Sequence, residues 1–211
     1  MTGNNIAIID YNLGNLYSVK NALVHLGFKP VITSDPKELM SYNSAILPGV
    51  GAFGEAMNNL KKSDLVIPIH DFIQSGKPFM GICLGLQLLF SMSYEFGEYK
   101  GLGIIEGEVI KFPNTGKNLK VPQVGWNKII VPIGKTWENT PLQNVKQGTF
   151  MYFVHSFYVK PASSDFVIAT TNYQGIEYCS GIQMKNVFAI QFHPEKSGKI
   201  GLGIYNDFLN Y

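Results

Sequence analysis

The sequence predicts an α/β fold: a central, largely parallel sheet with flanking helices and an added antiparallel region. Three observations predict it. Continuous apolar runs of strand length alternate with helix-period segments through the first half of the chain. Glycine, proline and asparagine punctuate those runs. In the second half, strand-like runs follow one another with only turn segments between them, as antiparallel strands do.

Ile6-Ala7-Ile8-Ile9-Asp10 is apolar without alternation, which suits a parallel strand buried on both faces. Tyr11-Asn12-Leu13-Gly14-Asn15 is a loop of turn formers. Leu16, Val19, Leu23 and Leu26 recur at helical spacing, and Gly27 stops that helix. Val31-Ile32-Thr33 is a second strand. Asp35-Pro36 opens a short helix, with Asp35 as N-cap and Pro36 at its first position. Ala45-Ile46-Leu47 is a third strand and ends in the loop Pro48-Gly49-Val50-Gly51. A helical pattern covers 53–74 with a break near Ser63. Strands are expected over 103–112, 121–131, 149–160, 166–172, 176–184 and 187–192, and a closing helix over 198–209. Segments such as Asn114-Thr115-Gly116 and Ser163-Ser164-Asp165 separate them. Neither a repeat nor a low-complexity linker divides the chain, so residues 1–211 are expected to form a single domain.

Composition excludes several classes of function. The 211 residues are 45% hydrophobic, enough for a substantial core. No run approaches the roughly 20 apolar residues that cross a bilayer. Met1-Thr2-Gly3-Asn4-Asn5 lacks the charged start of a signal peptide, so a cytoplasmic protein is expected. A net charge of +2 points to neither nucleic acid nor an anionic membrane. The 2 cysteines, Cys83 and Cys179, supply no disulfide framework and no metal-ligand cluster, and no cofactor is expected. All 17 basic residues are lysine. A small anionic group must therefore be held by backbone N–H groups or lysine, without a guanidinium fork.

The chemistry centres on Gly81-Ile82-Cys83-Leu84-Gly85. An apolar run precedes it, and Leu86-Gln87-Leu88-Leu89-Phe90 follows as a helix. Strand, sharp turn and helix, with glycine two residues either side of the cysteine, form the thiol counterpart of the Gly-x-Ser-x-Gly nucleophile elbow. Missing Cβ atoms permit the turn, and the helix start favours thiolate. A lone cysteine more often packs as a small hydrophobe; the paired glycines and the strand-to-helix switch argue otherwise.

A thiolate nucleophile needs a base, and the base needs an orienting group. Of His25, His70, His155 and His193, the first two lie in helical patterns. His193 follows an apolar strand in His193-Pro194-Glu195. Proline biases the preceding residue to extended geometry, and residues two apart in an extended segment share a side. Glu195 thus reaches Nδ1 and leaves Nε2 for the sulfur, the logic of a Cys–His–Glu triad. Acyl transfer also needs oxyanion donors. The candidates are the N–H of Leu84 and the backbone at Val50 and Gly51.

These motifs resemble those of class I glutamine amidotransferases, through 81–87 and Gln191-Phe192-His193-Pro194-Glu195-Lys196-Ser197. Asp10-Tyr11-x-x-Gly14-Asn15-Leu16, Leu47-Pro48-Gly49-Val50-Gly51, Val124-Gly125-Trp126-Asn127 and Tyr152-Phe153-Val154-His155-Ser156 narrow the resemblance to the glutaminase subunits of imidazole glycerol phosphate synthases. Six colinear motifs spread it over essentially the whole chain. It implies the flavodoxin-like fold of that class and hydrolysis of L-glutamine to glutamate and ammonia through a thioester on Cys83. It implies His193 as base and then acid, Glu195 as its orienting group, and a peptide flip near Val50 that completes the oxyanion hole. Gly49, Gln87, Glu95, Ser156 and Phe157 match positions that bind the substrate. Asn12, Asn15, Trp126, Tyr152 and Lys196 match positions that face a (β/α)8 cyclase subunit, to which the ammonia passes for the synthesis of imidazole glycerol phosphate in histidine biosynthesis.

Two positions depart from the family pattern. Gln123 stands where histidine is usual, and Phe157 where tyrosine is common. A paralogous pair that amidates a surface-polysaccharide sugar is the alternative destination for the ammonia. A stand-alone thiol hydrolase acting on γ-glutamyl substrates would turn over without a partner. A non-catalytic binding module would have no need of Cys83, His193 and Glu195 together.

Overall fold

A computed structural model describes residues 5–113 and 119–210; the turn read at 114–116 lies outside them. The first half alternates strand and helix: β1 (Asn5–Ile9), α1 (Leu16–His25), β2 (Lys29–Thr33), β3 (Ser44–Gly49), α2 (Phe53–Lys62), α3 (Val66–Gln74), β4 (Phe79–Cys83) and α4 (Leu84–Leu88). Strands dominate thereafter: β5 (Phe90–Ser93), β6 (Tyr99–Lys100), β7 (Ile105–Lys111), β8 (Gln123–Lys128), β9 (Phe150–His155), β10 (Phe157–Pro161), β11 (Val167–Tyr173), β12 (Ile176–Met184) and β13 (Val187–Ile190), closed by α5 (Gly198–Leu209).

The main sheet has the order β2-β1-β3-β4-β13-β12-β10-β7-β5-β6, with β11 paired to β12. Pairing is parallel from β2 through β13. It turns antiparallel at β12 and continues so through β10 to β7. The class I amidotransferase fold expected from the sequence is the fold observed. Its parallel strands read as unbroken apolar runs because both faces are covered. On β1, Ala7 and Ile9 enter one core while Ile6 and Ile8 enter the other. β8 and β9 form a separate antiparallel ribbon, buried on one face and open on the other.

Several local expectations give way. Asp35 does not cap a helix: its Oδ1 accepts the Lys37 N–H at 2.8 Å in an Asx turn, and only a 3-10 turn, Leu39–Ser41, follows. The elbow helix is five residues long, not a run through Phe90. The Leu89 carbonyl accepts the N–H groups of Ile104 and Ile105 at 2.9 and 3.0 Å, and the chain departs as β5. The expected strand over 121–131 contracts to β8. The one expected over 149–160 divides at Ser156 into β9 and β10, which belong to different sheets. Among the described residues no helix is long and apolar enough to cross a membrane.

Candidate active site

β4 lies between β3 and β13, and its last residue is Cys83. Register sets Gly49 opposite Cys83 on β3, so the Pro48–Gly51 loop and the cysteine emerge side by side. Cys83 has φ 54° and ψ −107°, a conformation that costs a residue with a side chain about 1–3 kcal/mol. The strain therefore sits on the cysteine itself. The flanking glycines permit close approach instead. A Cβ on Gly85 would overlap the Leu47 carbonyl oxygen, and one on Gly81 would lie 2.9 Å from the Gly85 oxygen and 3.0 Å from the Ala189 Cβ.

His193 is extended, at φ −103° and ψ 98°. Its N–H donates to the Tyr152 carbonyl at 2.9 Å, and its carbonyl accepts the Ser197 hydroxyl at 2.7 Å. Nδ1 meets Glu195 Oε1 at 2.8 Å. Glu195 gets there from a 3-10 turn, Pro194–Lys196, rather than from the extended segment the sequence suggested. The Tyr205 hydroxyl donates to Glu195 Oε2 at 3.4 Å. Both members of the His193–Glu195 pair have side chains 3% and 2% exposed. Burial alone would push the imidazole down. Cys83 beside it and the Glu195 carboxylate outweigh that and raise His193 to about 10, so the ring is cationic at neutral pH. Nε2 is buried, and the interaction of the ring with the Cys83 sulfur is among the influences that raise His193.

Cys83 opens onto a cavity of about 410 Å3, within the range of small-molecule sites. Val50, Gly51, Leu84, Gln87 and Glu95 line it, opposed by Ser156, Phe157 and Lys196. Gly49 is not on this wall. With Asn15 it borders a gap of about 10 Å3 beside His193 and Glu195. The Tyr11 hydroxyl donates to the Pro48 carbonyl at 2.9 Å and holds the base of the loop. Glu95 Oε2 accepts the Phe53 N–H at the start of α2 at 2.6 Å. Burial raises the Glu95 carboxyl, partly offset by that N–H.

Of the residues matched to a partner face, three meet. Trp126 and Tyr152 are cross-strand neighbours with ring centroids 6.1 Å apart, and Lys196 Nζ lies 5.7 Å from the centre of the Tyr152 ring. Val124, Trp126 and Phe150 are all more than half exposed on the open face of the ribbon. Asn12 and Asn15 sit apart on the β1–α1 loop. Asn12 is exposed at φ 63°, its N–H bonded to Asp10 Oδ1 at 2.8 Å.

Sequence reasoning assigned no role to His155, Tyr178, Gln191 or Tyr205. His155 is buried; its Nδ1 meets the Phe157 carbonyl at 2.8 Å and its Nε2 the Tyr178 hydroxyl at 3.2 Å. Burial lowers it to about 4, against the Phe157 carbonyl and assisted by His193. The Gln123 side-chain amide lies 3.0 Å from the same Tyr178 hydroxyl. His155 and Gln191 lie inside the motifs quoted above, which was their only signal. Tyr205 is one more apolar position of α5 until its hydroxyl is located.

The elbow cysteine and the buried histidine–carboxylate pair thus stand together at one end of this sheet. Residues 7–209 match the family model described as glutamine amidotransferase class-I. Imidazole glycerol phosphate synthase subunit HisH of Geobacter metallireducens is 46% identical, with 96% of each chain covered. The protein of that name from Caldanaerobacter subterraneus subsp. tengcongensis is 48% identical, again over 96% of each. The chain belongs to this family, the HisH subunits within the class I glutamine amidotransferases. Solved structures agree on the fold alone. PurLQS from Thermotoga maritima superimposes with a TM-score of 0.76 at 22% identity, covering 100% of this chain and 99% of that one. The Trypanosoma brucei CTPS glutaminase domain with bound acivicin gives 0.65 at 13% identity, covering 98% and 94%.

Proposed function

We propose that this chain is the glutaminase subunit of imidazole glycerol phosphate synthase, hydrolysing L-glutamine and handing the ammonia to a (β/α)8 cyclase subunit in histidine biosynthesis. The observation that carries the chemistry is the buried His193–Glu195 pair, 2.8 Å apart, beside Cys83 at the mouth of the 410 Å3 cavity. Similarity to the HisH subunits supports the pathway.

In this reading the Cys83 sulfur attacks the carboxamide carbon of glutamine. The developing oxyanion is met by the Leu84 N–H and by a backbone N–H at Val50 or Gly51. The His193 imidazolium gives its Nε2 proton to the departing nitrogen, the C–N bond breaks, and ammonia leaves a glutamyl thioester. Water then adds to the thioester while the neutral imidazole takes its proton. The C–S bond breaks and glutamate leaves. Glu195 holds the imidazole orientation through both halves, and Tyr205 steadies Glu195. Gln87, Glu95 and the backbone of Ser156 and Phe157 hold the amino-acid end. Gly49 supports them from behind through its pairing with Cys83. Trp126, Tyr152 and Lys196 form the centre of the partner face, with Asn12 and Asn15 at its edge.

The test is glutamate release by the purified chain with and without a HisH-type cyclase partner. Strong stimulation by the partner that disappears in Cys83→Ala is the expected result. Release that persists in Cys83→Ala would overturn the mechanism.

A further inference from the structure

Gln191 is fully buried at the end of β13, and nothing in the mechanism above uses it. Its Nε2 lies 3.5 Å from the Cys83 sulfur, and its Oε1 accepts from Gln87 Nε2 at 3.1 Å. Gln87 Nε2 also donates to the Phe157 carbonyl at 3.0 Å. Direction in this chain is set by one backbone group. A carbonyl oxygen only accepts, so Gln87 must turn its NH2 toward Phe157. The second hydrogen of that NH2 then requires an acceptor, which Gln191 supplies with Oε1. Gln191 is left with its own NH2 toward the sulfur. With both hydrogens of its NH2 engaged, the carboxamide oxygen is the group Gln87 has left to offer the cavity it lines.

We propose that Gln191 is a positioning residue of the hydrolytic site, donating an N–H to the Cys83 sulfur and locking Gln87 with its carboxamide oxygen toward the substrate. The second half of this rests on the glutaminase reading; the first does not. An N–H aimed at sulfur favours the anion over the neutral thiol and fixes the rotamer from which it attacks.

The test is iodoacetamide alkylation of Cys83 in the full chain, followed by peptide mass across pH. Cys179, whose thiol burial pushes up to about 12, serves as the internal control. Gln191→Met keeps the length and removes both hydrogen bonds. Alkylation of Cys83 is expected to slow about tenfold at neutral pH, since hydrogen bonds to charged groups carry about that weight. KM for glutamine rises as well. Alkylation at the unaltered rate and pH profile, in a folded Gln191→Met, overturns the proposal. Should that variant fail to fold, the side-chain amide resonance of Gln191 in the unaltered protein decides. It is expected to move when Cys83 is alkylated, and an invariant signal overturns the proposal. Neither readout requires glutamine turnover, so both stand if the substrate reading falls.

Discussion

The backbone N–H of His193 donates to the carbonyl of Tyr152 at 2.9 Å. The same Tyr152 gives its own N–H to Ser197 at 3.0 Å and carries a ring beneath Lys196. His193 and the exposed aromatic ribbon are thus joined through main chain.

Trp126→Ala is expected to leave stability within about 0.5 kcal/mol, since the ring is 56% exposed. It should weaken association with a cyclase partner at least tenfold, as buried interface aromatics do. Lys196→Glu should impair partner-stimulated glutamate release while the melting curve stays put. Titration calorimetry and a coupled assay measure both, and unchanged affinity in the tryptophan variant would remove this face from the interface.

Stability should fall as pH rises through the alkaline range. His193 is raised from an ordinary 6.5 to about 10. The folded chain therefore binds the proton more tightly than the unfolded chain between those values. The contribution is complete below about 6.5 and is lost on the way to about 10. Cys83 is the largest raising influence, so Cys83→Ala should flatten that decline and shift the imidazole NMR titration downward.

His155 acts in the opposite direction. Lowered to about 4, it is neutral when folded and takes a proton first when unfolded. Stability from this residue is present above about 6.5 and lost as pH falls through about 4, a difference of up to about 3 kcal/mol. Urea denaturation at pH 7 and pH 4.5 should show that loss. His155→Gln, which keeps a donor for the Phe157 carbonyl, should show much less of it.

Replacing Cys83 separates backbone strain from activity. Cys83→Gly is expected to be more stable than Cys83→Ala by about 1 kcal/mol, because glycine accepts a φ of 54° freely. Both are expected to be inactive. Gly85→Ala should cost about 3 kcal/mol, since its Cβ would overlap the Leu47 carbonyl. Chemical denaturation ranks all three.

The parallel half of the fold was legible because both faces of its strands are covered, and Ile6 through Ile9 leave no other reading. The antiparallel half was legible in kind but not in detail. Nothing local marks Ser156 as the residue where the chain changes sheets; its carbonyl simply accepts from Phe112 at 3.2 Å, a partner 44 positions away. At the site, the sequence brought Cys83, His193 and Glu195 into one hypothesis, and the fold draws them together. The route differs, since Glu195 curls back on a 3-10 turn. Gln191 stayed hidden because a glutamine at the end of an apolar strand carries no sign of what it faces.

Tyr11 fastens the Pro48 carbonyl, and Gly49 is stitched into register against Cys83. Val50 and Gly51, the next two residues, already belong to the cavity wall. The register of two parallel strands and one tyrosine hydroxyl thus decide where that wall begins, beside the cysteine.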